Sequence, residues 1–306
     1  MKLAYNDALR DCNQAIQLSH DYHHIQSLPG TFKASIKWAY LNSRSPLYIL
    51  RGVIYGFIGE NEKSIDDYTT AIKITSDSAE AFLMRANSYA EKGDFKSAVQ
   101  DVNHAIELSP DDIEAYFHRA RIHTLNSNFE LALRDMNLVI IKQPDSCEAL
   151  CNKAYINKLN GALYEALDDY NAALKINSEF NGAYIKRAKV YEMLSYLDKC
   201  EADYISVLTI DPNIEEAKQG LERVRNKKMQ SENVIKFRSE PINKNEGYLI
   251  NFYRIRGAAF EHLCRFEEAV KDYTTVIDSN SLISHDLYSR GKVLFKKGVL
   301  MRRYLI

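Results

Sequence analysis

AEAFLMRANSYAEKGDFKSAVQDVNHAIELSPDD, residues 79–112, sets how the rest of the chain is read. Phe82, Arg85, Ala86 and Tyr89 recur at the three- and four-residue spacing of one helix face. Gly93-Asp94 interrupts that pattern. It resumes through Phe95, Ala98, Val102, Ala105 and Leu108, and Ser109-Pro110 closes it. The stretch therefore predicts two helices of roughly four turns each, joined by a tight turn.

The same columns return every 34 residues. Arg51, Arg85, Arg119, Lys153 and Arg187 are each followed by Gly or Ala, and each has an Asp 16 residues downstream: Asp67, Asp101, Asp135, Asp169 and Asp203. The turn column holds Gly59, Gly93, Ser127, Gly161 and Ser195. In the second helix a small column (Ser64, Ala98, Ala132, Ala166, Cys200) precedes a larger one (Tyr68, Val102, Met136, Tyr170, Tyr204). Small residues let two helices approach, and the bulky ones fill the space left over. One hairpin cannot bury its own apolar face, but stacked hairpins can.

A 34-residue helical hairpin with these columns resembles the tetratricopeptide repeat (TPR). The resemblance covers five tandem units, 45–78, 79–112, 113–146, 147–180 and 181–214. A further unit fits 250–283 through Tyr253, Arg256-Gly257, Phe260, Phe266, Ala269, Asp272-Tyr273 and Val276. The Trp usual at the start of such a unit is absent, and the lone Trp38 lies outside the repeats. The implied fold is all-α, an α-α superhelix of stacked antiparallel hairpins. Residues 1–22 match only a second helix, and 287–298 only a first helix. An extra helix is expected in the insert 23–44, a capping helix at 215–228 and a linker at 229–247. The last stretch, 248–306, holds one unit and the first helix of a truncated one. A truncated product, frayed ends and end-to-end self-association all account for the half-hairpins.

The cation–Asp columns, extended by Arg256 and Asp272, have two readings. They could be ligand contacts or an internal salt-bridge ladder reaching between units. A residue set repeated in every unit cannot give one ligand its address, so the internal ladder is the expectation. Function belongs in columns that vary. The resemblance implies that the first helices line a concave groove for an extended peptide or a partner helix. There the candidate binding residues are Asn87, His118, Arg121, Asn152, Tyr155, Lys186 and Lys189. In the middle units they form a polar, basic patch suited to carboxylates and peptide backbone. TPR co-chaperones hold acidic C-terminal tails of heat-shock chaperones in a similar way. Asn152 and Lys186 fall in matching columns, but Phe117, Arg121 and Gly182 depart from that clamp.

Composition narrows the alternatives. A formal net charge of −1 argues against a nucleic-acid binder. From 248 to the end, ten Lys/Arg against six Asp/Glu give a local +4, the ordinary reading of which is a solvated face. Five scattered Cys suggest a reducing compartment, hence a cytoplasmic or nuclear protein. No apolar run approaches the roughly 20 residues that span a bilayer. Cys147 and Cys151 with His118 and His123 offer a weak zinc pattern, and Cys12, Cys200 and His123 occupy packing columns. No phosphate loop, nucleophile elbow or metalloprotease helix is present. The expectation is a non-catalytic interaction scaffold without a cofactor.

Overall fold

The computed structural model describes residues 2–20, 44–244, 249–279 and 284–304. These contain fifteen helices and no strand. The helix expected within 23–44 falls almost wholly outside the described residues. The chain forms two compact units, Met1–Asn160 and Gly161–Ile306. The boundary lies inside the fourth 34-residue unit, not at 229–247.

Unit 1 contains α1 (Lys2–His20), α2 (Ser45–Phe57), α3 (Asn61–Ile74), α4 (Ala79–Glu91), α5 (Phe95–Leu108), α6 (Ile113–Leu125), α7 (Phe129–Lys142) and α8 (Cys147–Leu159). The pairs α2–α3, α4–α5 and α6–α7 are hairpins, and each hairpin packs on the next. Local chemistry starts and stops the helices. Ser78 Oγ accepts from Ala81 N–H, Asp94 from Ser97 N–H, Asp112 from Glu114 N–H and Ser146 from Ala149 N–H. Each hairpin turns through a left-handed residue. Gly59 and Gly93 sit at φ near +80°, where glycine pays no Cβ penalty, whereas Ser127 is held at φ +58°.

The interior is built from the small and large columns. Ala86, Ala98, Val102 and Ala105 are wholly buried in one cluster. Column sizes are matched across the seam. A Cβ added to Gly52 would stand 2.7 Å from the Tyr68 ring, so this Gly lets that ring lie close against α2. Where Val102 or Met136 replaces Tyr68, Ala86 or Ala120 replaces the Gly, but Ala154 and Ala188 stand in the units that keep Tyr170 and Tyr204, so a Tyr in this column does not by itself call for Gly.

The cation–Asp columns lie in the same seam. Arg51, Arg85 and Arg119 each grip their Asp with two hydrogen bonds of 2.6–2.9 Å. Arg187–Asp203 and Arg256–Asp272 repeat this in unit 2 at 2.6–2.9 Å. The Asp side chains are only 3–10 % exposed. The remaining guanidinium nitrogen reaches back to the preceding helix. Arg51 donates to Asn13, Arg85 to Thr69, Arg119 to Asn103 and Arg187 to Asn171. Arg51, Arg85 and Arg187 also lie over an aromatic ring on either side, three residues before and four after, at 5.3–5.9 Å. Every arm of the fork is thus used inside the array, and only Arg has the planar geometry for it. The other rung, Lys153 and Asp169, falls on either side of the unit boundary.

Unit 2 contains α9 (Leu163–Ile176), α10 (Asn181–Met193), α11 (Leu197–Ile210), α12 (Glu215–Lys244), α13 (Ile250–His262), α14 (Phe266–Asp278) and α15 (Ser284–Tyr304). Here the expected linker is corrected: the helix expected at 215–228 continues, and α12 runs unbroken for 30 residues, so 229–244 is helix and the chain does not part there. Its first half is pinned to α10 and α11 by charge. Arg223 and Lys227 bond Glu192 at 3.1 and 2.5 Å, and Arg225 and Lys228 bond Glu201 at 2.8 Å. Gly220 admits the Tyr204 ring, which would stand 2.4 Å from an added Cβ. The second half covers α13. Ser239 accepts from Arg256 at 3.1 Å, the role Thr69 and Asn103 play in unit 1, and Arg238 lies 5.0 Å from the Phe252 ring centre. A helix that looks too polar to pack is buried through Ser231, through Val224 and through ion pairs.

Candidate peptide-binding groove

In unit 1 the first helices α2, α4 and α6 neighbour one another directly, so their outward columns form one face. The candidate residues of that face do not act alike. Asn87, on α4, is joined to two residues of α6. Its Nδ2 lies 2.9 Å from Nδ1 of His118, and its Oδ1 accepts from Arg121 at 3.2 Å. Arg121 also forms an ion pair with Glu91, both about half exposed. Burial pushes the His118 imidazolium pKa down, against the opposite pull of Glu114, and favours the neutral ring. The network is therefore closed and close to neutral.

Beside it, α6, α7 and α8 enclose a hollow of about 870 Å³. Its floor is apolar: Ile113, Phe117, Ala120, Met136 and Ile156. His118, Arg121, Asn152 and Tyr155 stand around it, so four of the seven candidate residues meet here. Tyr155 is 41 % exposed, Leu125 47 % and Leu159 43 %. Glu114 and Glu148 complete the polar part of the rim with Gln143 and Thr124.

Lys186 and Lys189 belong to α10 in unit 2. Lys189 is ion-paired with Glu216 of α12, and Lys186 is half-buried. The expected basic patch is thus corrected at two of its cations, Arg121 and Lys189, which are already neutralised by carboxylates of neighbouring helices. Sequence reasoning also passed over a column six residues after the cation. It holds Phe57, Glu91, Leu125, Leu159 and Met193, and all but Glu91 are bulky, apolar and exposed. Its signal was present, since apolar residues recur at a 34-residue step outside the packing columns.

Among the described residues no group of three or more His, Cys, Asp or Glu is placed to hold a metal ion. Nδ1 of buried His123 has no hydrogen-bond partner among the described residues, and burial lowers its pKa. No helix of the described residues is long and apolar enough to cross a membrane.

The family model of the tetratricopeptide repeat matches residues 45–78 and 79–112. A comparison with curated proteins gives no match. Among solved structures, a tetratricopeptide repeat protein from Parabacteroides merdae is 17 % identical, covers 93 % of this chain and 99 % of its own, and superposes with a TM-score of 0.50. YrrB, described as a TPR protein with an unusual peptide-binding site, is 18 % identical over 62 % of this chain and 97 % of its own, at 0.44. MamA from Desulfovibrio magneticus RS-1 is 13 % identical over 56 % and 97 %, at 0.46. Residues 45–112 thus match the tetratricopeptide repeat in sequence, and the hairpins that follow share its all-α fold.

Proposed function

We propose that the protein is a non-catalytic interaction scaffold, and that unit 1 holds a partner segment by seating a bulky apolar side chain in the α6–α8 hollow. The observation that carries this reading is the hollow itself: an apolar floor left open between first helices, with Tyr155, Leu125 and Leu159 exposed at its mouth. Exposed aromatic and leucine side chains around a concave, partly polar site suit an anchor residue of a peptide or helix. The interior columns serve folding, because their charges are consumed by the ladder. We favour an apolar anchor over an acidic tail, since Arg121 is taken up by Glu91 and Lys189 by Glu216.

Selection of random twelve-residue peptides on the full chain tests this reading. Enriched peptides should share a bulky apolar residue and bind the Tyr155→Ser/Leu159→Ser double variant at least about tenfold more weakly, the effect of uncovering two apolar contacts. Enriched peptides that bind the variant as well as the native chain would place recognition elsewhere.

A further inference from the structure

We propose that the partner segment in unit 1 is basic as well as apolar, setting a Lys or Arg beside its anchor against Glu114 and Glu148. This deepens the groove reading and rests on it. The charges lining the hollow are two carboxylates, Glu114 and Glu148, and one guanidinium, Arg121. Arg121 does not balance them, because it is committed to Glu91 and to the Asn87 carbonyl. His118 faces Glu114 at 3.6 Å but burial favours its neutral form. Glu148 has no ion pair among the described residues. Lys158 lies over the Tyr155 ring, 4.7 Å from its centre, and does not line the hollow.

Both carboxylates stand in the first turns of α6 and α8, where an acid also favours the helix dipole. That accounts for an acid at each place. Convergence on one apolar hollow adds a consequence that the dipole does not have: any ligand seated there meets two uncompensated negative charges. An acidic tail is repelled, whereas a cation flanking the anchor is attracted and could also lie over Tyr155.

The experiment measures binding of three labelled synthetic twelve-residue peptides to the full chain by fluorescence anisotropy. All three carry Phe and Leu at the same places. The flanks are Lys/Arg in the first, Ser/Gln in the second and Asp/Glu in the third. The basic peptide should bind at least about tenfold more tightly than the acidic one at low salt, and added salt should narrow the difference. The exposed, conservative double change Glu114→Gln/Glu148→Gln should shrink the gap between the basic and acidic peptides by about tenfold, a larger change than it makes to the neutral peptide's affinity. Equal or tighter binding of the acidic peptide overturns the inference, as does a gap that the double variant leaves untouched. If the neutral peptide binds and charge makes no difference, only the basic preference fails. If no peptide binds, the groove reading fails with it.

Discussion

The seam between the two helices of a hairpin and the open face of α6 and α8 use similar residues to opposite ends. In the seam, Arg119 is held by Asp135 and Asn103 in an arrangement that Arg85 repeats one unit earlier with Asp101 and Thr69. On the open face, Arg121, two residues along the same helix, pairs with Glu91 in a contact shaped by that one position. A cation that recurs with its partners stabilises the stack. A cation that occurs once adjusts the surface. Reading charge without partners confuses the two, and that is how a neutralised face was expected to be basic.

The largest test of this contrast is Asp135→Ala. It strands Arg119 in a seam where the Asp is almost fully covered, and should cost about 3–5 kcal/mol in thermal or denaturant unfolding. Asp112→Ala removes only the cap of α6 and should cost about 1 kcal/mol. Equal losses would dissolve the distinction between ladder and surface. Gly220→Ala probes the size matching of the seam in unit 2. Crowding of Tyr204 should cost about 1–3 kcal/mol, offset in part by the roughly 1 kcal/mol that Ala favours a helix.

His123 sharpens the contrast from another side. It fills the column of Tyr55, Tyr89 and Tyr191, buried with its Nδ1 unpartnered among the described residues. Its folded pKa is lowered, so the unfolded chain takes up the proton first. Stability from this group is full above about pH 6.5 and is lost as pH falls from there to the folded pKa. His123→Tyr should flatten the unfolding free energy between pH 7 and 5 relative to the native chain. An unchanged slope would mean that another group titrates there. Ser127→Gly should raise stability by about 1 kcal/mol by relieving the left-handed backbone at φ +58°. The Tyr155→Ser/Leu159→Ser pair should barely alter stability while weakening binding, the reverse of Asp135→Ala.

The path from Glu215 to Lys244 shows why pattern reading stopped short. Its apolar columns fade after Val224, and Pro241 looked like a breaker. Its helix is set by partners far away in sequence: Glu192 and Glu201 before it, Arg256 after it. None of these is visible as a local period.

The sequence alone determined the hairpin, its 34-residue step, the left-handed turn positions and the residues of the ladder, because these rest on helix periodicity and on a spacing repeated from unit to unit. The third-arm partners of Arg85, Arg119 and Arg187 were legible in the same way, since Thr69, Asn103 and Asn171 hold one repeating column, whereas Ser239, the partner of Arg256, lies outside it. Tertiary structure alone decided that 229–244 is helix, that Arg121 and Lys189 are already paired, and that the face beside them is an apolar hollow with an acidic rim. The physical reason is that a buried column has the same neighbours in every unit, whereas the charge of a surface depends on which single side chain arrives from the next helix.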